Sequence, residues 1–255
     1  MTSPILVTGG TGTLGRFLVP RLLDAGRDVR VLSRSSRGRG KEHEQGVEFV
    51  RGDLITGAGI DAAVDGASVI LHCASGKKGD EAATGNLVEA ASHQATPPHL
   101  VYPSIVGADA LSLGYFRSKL HSEQAVADSG LPWTIARFTQ FYDYILSGAR
   151  SMAKLPVVPV PAGFRVQPID PDEVAARLVE LALGDPAGRV EDLGGPQEST
   201  WADMVRVYLR TGHRRRPVIP VRLPGLAKVR AGRLLPVGPV TGRKTWEEFL
   251  AGKER

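Results

Sequence analysis

One cysteine, Cys73, in 255 residues rules out a disulfide within the chain and fits a reducing compartment. The six histidines are scattered without the short spacings of zinc sites, so no metal centre is expected. No uninterrupted apolar run approaches the roughly eighteen residues of a membrane span. The chain enters an apolar strand at once, with no basic segment ahead of it that reads as a signal peptide. A cytoplasmic protein with no membrane partner is therefore the expectation. Internal repeats and low-complexity tracts are absent too. What remains is ordinary: 42% hydrophobic and 23% charged residues, in a length that suits one large α/β domain or a domain with a small lobe.

Charge is unevenly placed. The formal net charge is +5, yet Val205–Arg255 hold 13 Lys/Arg against three Asp/Glu, so this stretch carries +10 and the first 204 residues −5. A basic stretch can attract nucleic acid or an acidic ligand. His213-Arg214-Arg215-Arg216 is short and lacks interleaved aromatics, so nucleic acid is not expected. A solvated surface flanking the pocket of a small, possibly acidic substrate is the preferred reading.

Chemistry begins at Ile5-Leu6-Val7-Thr8-Gly9-Gly10-Thr11-Gly12-Thr13-Leu14-Gly15. Ile5 to Val7 reads as a buried strand. From Thr13 the pattern turns helical, with Leu14, Leu18 and Leu22 on one face. The glycines between fit G-x-G-x-x-G (Gly10, Gly12, Gly15) or G-x-x-G-x-x-G (Gly9, Gly12, Gly15). Gly9 and Gly12 let backbone approach a pyrophosphate, and Gly15 lets the helix pack near the strand. Free N–H groups at the helix start face the anion, which adds Thr11, Thr13 and Leu14 to the candidate cofactor residues. The competing reading is a structural tight turn.

A second strand, Asp28–Ser33, ends in Arg34, about twenty residues past the last glycine, where the ribose-reading residue belongs. An acid there would favour NAD. Here Ser33, Arg34 and Arg37 offer donors suited to a 2′-phosphate, which favours NADP(H); a basic surface loop is the alternative. Charge-assisted bonds of this kind contribute about 1.5–3 kcal/mol, roughly a ten- to hundredfold preference. A third strand, Val47–Val50, leads to Asp53 and Leu54; Asp53 can accept from the adenine amine or cap the next helix, Ile60–Val64. A fourth strand, Ser68–Cys73, ends in the small residues Ala74 and Ser75, against which a cofactor can lie. Helix Glu81–His93 and strand His99–Ile105 follow. This alternation predicts an α/β fold, a doubly wound parallel sheet of Rossmann type.

Tyr115 and Lys119 open the next helix and, four apart, share a face. A neighbouring ammonium stabilises a phenolate, and the lysine can also hold a cofactor ribose.

These motifs together resemble the short-chain dehydrogenase/reductase superfamily, in its atypical, NmrA-like NAD(P)H-binding branch. The likeness rests on T-G-G-T-G-T-L-G at Thr8–Gly15, G-D-L at Gly52–Leu54 and H-L-V-Y-P-S-I-V-G at His99–Gly107. It continues through Y-F-R-S-K at Tyr115–Lys119, S-G-L-P-W-T-I-A-R-F-T-Q-F at Ser129–Phe141 and T-W-E-E-F-L at Thr245–Leu250. The resemblance implies a Rossmann core and a small C-terminal substrate lobe; the core is expected over residues 1–150 and the lobe over 151–255, in one compact unit, with either a monomer or a homodimer left open. It implies that Tyr115 is the general acid, Lys119 its partner and Ser104 the third catalytic residue. Ser104 stands one residue ahead of the usual serine position, which Ile105 occupies. Phe138 would lie at the nicotinamide end, with Gln140, Phe141 and Tyr144 toward the substrate.

Farther on, Pro171–Leu183 reads as a helix capped by Asp170, Asp192–Pro196 as a strand and turn, and Trp201–Arg210 as a helix capped by Thr200 or Ser199. The expected function is an NADPH-dependent oxidoreductase acting on a carbonyl or quinone-like molecule. The alternative is a non-catalytic NADP(H)-binding redox sensor with a protein partner.

Overall fold

The computed structural model describes residues 3–34, 46–76, 78–111, 113–238 and 241–253. In chain order the elements begin β1 (Ile5–Thr8), α1 (Gly15–Asp24), β2 (Val29–Ser33), β3 (Val47–Arg51), α2 (Ile60–Val64), β4 (Val69–His72) and α3 (Asp80–Ser92). Next come β5 (His99–Ile105), α4 (Gly114–Ala127), β6 (Trp133–Phe138), α5 (Tyr142–Met152), β7 (Val158–Pro161), β8 (Arg165–Val166) and α6 (Pro171–Leu183). The chain closes with β9 (Gly188–Arg189), β10 (Ser199–Thr200), α7 (Trp201–Thr211), β11 (Val218–Val221), α8 (Ala227–Arg230) and α9 (Trp246–Lys253). No helix among the described residues is long and apolar enough to cross a membrane.

Two compact units form. The first comprises Met1–Ser104, Ser112–Ala136 and Val174–Val190. It holds most of a seven-stranded sheet in the order β3-β2-β1-β4-β5-β6-β9, a Rossmann order extended by one short strand. The pairs β1–β2, β1–β4, β2–β3, β4–β5 and β6–β9 are parallel. Strand order reverses between β1 and β4, and at such a point an open parallel sheet leaves a crevice outside its carboxyl ends. The apolar runs of these strands are buried because helices cover both sheet faces. Leu18 and Leu22 of α1 are fully buried and Leu14 nearly so, as the fourfold spacing predicts. Leu6 packs in one cluster with Ile60, Val64, Leu87, Leu100 and Tyr102, beneath α2 and α3.

The second unit comprises Ile105–Leu111, Arg137–Glu173 and Glu191–Arg255. Its core gathers Tyr142, Ile145, Leu146, Val158, Val160, Trp201, Val205, Trp246 and Phe249 around two small sheets, β7–β11 and β8–β10. The predicted caps form. Asp170 Oδ1 accepts from the Asp172 N–H at 2.9 Å, and Thr200 Oγ1 accepts from the Asp203 N–H at 3.2 Å. One prediction fails: Asp192–Pro196 is no strand, and only Leu193 bridges to Phe138. Its neighbours turn away, Gly194 donating to Thr241 Oγ1 and Gly195 to the Gln167 carbonyl. The last strand of the large sheet is the unpredicted β9.

Candidate cofactor site and catalytic cluster

The loop after β1 is shaped by glycines at contact. Gly9 has φ +68°, and a Cβ on it would come within 2.8 Å of the Ala74 nitrogen beyond β4. Gly15 lies so close to Gly10 that any side chain there would overlap the loop backbone, so α1 begins flush against the turn. Thr11, Gly12 and Thr13 are exposed. The Gly12 N–H turns back to the Gly9 carbonyl, and Arg16 is the next residue bonded to the loop. The N–H groups of Thr13, Leu14 and Gly15 find no acceptor among the described residues. An exposed helix start with unsatisfied donors at the crevice fits the pyrophosphate of a dinucleotide.

Behind this loop the carboxyl ends of β1 and β4 are tied by a buried polar chain. Thr8 Oγ1 lies 2.8 Å from His72 Nδ1, and His72 Nε2 lies 3.1 Å from Thr84 Oγ1. Thr84 donates to the Asp80 carbonyl at 2.8 Å, while the Ala74 N–H donates to Thr8 Oγ1. One assignment satisfies every bond: Thr8 donates to Nδ1 and Nε2–H donates to Thr84, with a neutral ring. Burial pushes His72 down to about 3, aided by the Lys119 charge, so neutrality holds. The adjacent Cys73 thiol is pushed up to about 12 by burial, so it packs rather than reacts.

Lys119, only 5% exposed, is the centre of a buried polar cluster. Its Nζ donates to the Tyr102 hydroxyl at 3.2 Å and pairs with Asp80 Oδ2 at 3.3 Å. It also stands 6.0 Å from the Tyr115 ring centroid, so the i, i+4 pair does share a face. Burial opposes its charge, but Tyr102, Tyr115 and Asp80 together raise it above the usual lysine value, and it stays an ammonium. Asp80 is engaged from three sides, since its carboxylate also accepts from Ser75 Oγ and the Gly76 N–H, each at 2.7 Å. Tyr115 is 43% exposed. Ser104 is buried, and its hydroxyl has no partner among the described residues. Two residues along β5 from Tyr102, it takes the strand face whose tyrosine meets Lys119.

Asp80, Tyr102 and His72 escaped the sequence reading. Tyr102 sits in an apolar strand run and looks like core, and Asp80 looks like an ordinary first-turn acid. Their meeting with Lys119 spans up to 39 residues of chain and has no local signature.

At the far side of the crevice Arg34, Arg51, Gly52, Asp53, Ala58 and Gly59 line a cavity of about 410 Å³. Asp53 Oδ1 accepts from the Ile55 N–H at 2.8 Å, a turn within the loop rather than a helix cap. Leu54 packs into the hydrophobic cluster. Ser33 ends β2, half-buried beside exposed Arg34. Arg37 lies outside the described residues. In the second unit, Phe138 is fully buried. Both polar atoms of the Gln140 amide are buried without a partner among the described residues, and Phe141 precedes α5 and bridges to Ile169. Tyr144 is 65% exposed, with its ring edge-on to Trp201 at 5.8 Å.

The chain matches a family model described as NAD(P)H-binding over residues 9–183. It is 35% identical over 200 residues, 77% of this chain and 69% of the relative, to the (4-alkanoyl-5-oxo-2,5-dihydrofuran-3-yl)methyl phosphate reductase of Streptomyces griseus. It is 26% identical over 204 residues, 77% and 70% of the two chains, to quinone oxidoreductase 2 of Escherichia coli. Among solved structures, the NADPH complex of an NADPH-dependent quinone oxidoreductase from Escherichia coli superposes with a TM-score of 0.83 at 19% identity, covering 98% of this chain and 100% of that one. The chain belongs to the NAD(P)H-binding family.

Proposed function

We propose that this protein is an NADPH-dependent reductase of a carbonyl or quinone-like small molecule. The reading rests above all on Lys119, a buried ammonium held by Asp80 and Tyr102 beneath the half-exposed phenol of Tyr115. A fixed cation beside an accessible phenol is an arrangement for giving up a proton to an oxygen that gains charge.

The N–H groups of Thr13, Leu14 and Gly15 would hold the pyrophosphate, Asp53 the adenine, Ser33 and Arg34 the 2′-phosphate and Lys119 the ribose. When bound, the nicotinamide supplies a hydride to the substrate carbon. Tyr115 then donates its phenolic proton to the substrate oxygen, and Lys119 stabilises the phenolate left behind. Ser104, whose hydroxyl has no partner among the described residues and lies on the Lys119 side of β5, donates a hydrogen bond to the same oxygen. We assign the substrate lobe to the second unit, where Gln140, its buried amide unpartnered among the described residues, would hydrogen-bond the substrate and Phe141 and Tyr144 would supply apolar surface. The basic stretch of that unit suits an acidic substituent, and the Streptomyces relative is named for a phosphate ester.

A screen of NADPH consumption over quinones, ketones and aldehydes tests the reading. Turnover with at least one class is expected. No consumption across the panel would move the assignment to the cofactor-sensing alternative, which the reductase names of the relatives do not favour.

A further inference from the structure

We infer that Arg51 is a second determinant of NADPH specificity, acting with Arg34 on the 2′-phosphate of the cofactor. The inference rests on the NADP(H) reading above and adds a residue from a different strand.

Parallel strands β2 and β3 run in a register that sets Arg30 opposite Glu48 and Ser33 opposite Arg51. At the first pair the arginine is neutralised, Arg30 Nε donating to Glu48 Oε2 at 2.7 Å. At the second, Arg51 stands beside a serine, and it has no hydrogen-bond or ion-pair partner among the described residues. Arg34, the next residue after Ser33, has none either. Both arginines line the same 410 Å³ cavity. Asp53 is the carboxylate among the described residues that lines it, with Oδ1 accepting from the Ile55 N–H, so the cavity lining carries two cations against one anion.

The position of Arg51 is built rather than incidental. The Gly52 N–H is tied to the Ser33 carbonyl at 3.1 Å. A side chain on Gly52 would meet the Ala58 carbonyl oxygen at 2.6 Å and Leu32 Cδ1 at 2.7 Å. Gly59, at φ +75°, presses against the Arg51 carbonyl with no room for a Cβ. Close glycine packing thus holds the strand end that carries Arg51 against the end that carries Ser33 and Arg34. Two guanidinium groups without an ion-pair partner among the described residues, over one cavity, recognise a dianion, and guanidinium geometry suits phosphate oxygens. Between the two cofactors, only NADP(H) brings such a group to the adenosine ribose.

The test compares wild type, Arg51→Gln and Arg34→Gln by calorimetric titration of NADPH, NADH, 2′,5′-ADP and 5′-AMP. Arg51→Gln is expected to weaken NADPH and 2′,5′-ADP about tenfold or more, leave NADH and 5′-AMP within about twofold, and flatten the salt dependence of NADPH binding. Unchanged affinity for NADPH and 2′,5′-ADP in Arg51→Gln, with the preference lost only in Arg34→Gln, would overturn the inference and leave the NADP(H) reading standing. Equal weakening of NADPH and NADH in Arg51→Gln would overturn it as well, by showing a structural role. Equal affinity of wild type for NADPH and NADH would instead overturn the NADP(H) reading itself.

Discussion

Lys119 Nζ and Asp80 Oδ2 lie 3.3 Å apart, with both side chains less than a tenth exposed. The pair joins the α4 lysine to the start of α3 and, through Ser75 and Gly76, to the loop after β4. Truncating one member of a buried pair strands the other charge. Lys119→Met is therefore expected to cost about 3 kcal/mol of stability, the low end for such a change because Asp80 keeps two hydrogen bonds. Asp80→Asn combined with Lys119→Met should recover most of that loss. Urea unfolding of the single and double variants measures it, and additive losses would contradict the pairing.

Gly9→Ala addresses the loop. The alanine would have to hold φ +68° and place its Cβ 2.8 Å from the Ala74 nitrogen. The Ala74 N–H donates to Thr8 Oγ1 at 3.2 Å, so moving Ala74 to relieve the contact would disturb that bond. A loss of roughly 1–3 kcal/mol is expected from the strained backbone, with weakened NADPH binding. Thermal unfolding with and without NADPH reads both effects.

His72 predicts a pH dependence of stability. Its folded value of about 3 lies below the ordinary 6.5, so between those values the unfolded chain binds the proton and the folded chain does not. The contribution of this residue is complete above about pH 6.5 and declines as the pH falls toward 3, with a slope of up to about 1.4 kcal/mol per pH unit. His99, lowered chiefly by burial, acts in the same direction. His72→Gln should be less stable at pH 7 yet show a shallower acid limb in urea titrations from pH 7 to pH 4. An equally steep limb would remove His72 from this role.

The fold was legible where local pattern and tertiary context agree. Ile60–Val64, His99–Ile105 and Pro171–Leu183 match their predicted bounds because turn residues and caps mark their ends. β9 was not legible, since Gly188 and Arg189 carry no strand signal and pair only because β6 presents an open edge. At the site, Tyr115 and Lys119 could be joined from their spacing alone. What holds Lys119 could not, because Asp80 and Tyr102 reach it only after two helices, α3 and α4, and the strand β5 have packed. Arg51 escaped for the same reason: its meaning depends on the register that sets it beside Ser33.

The central claim is that Tyr115 delivers the proton while Lys119 stabilises the charge it leaves. Single-turnover oxidation of NADPH by Tyr115→Phe, with a substrate identified in the screen, tests it most directly. The rate should fall at least about a hundredfold while NADPH affinity is unchanged, since the phenol acts only in the transition state. A Tyr115→Phe protein that reduces the substrate at the wild-type rate would contradict the account.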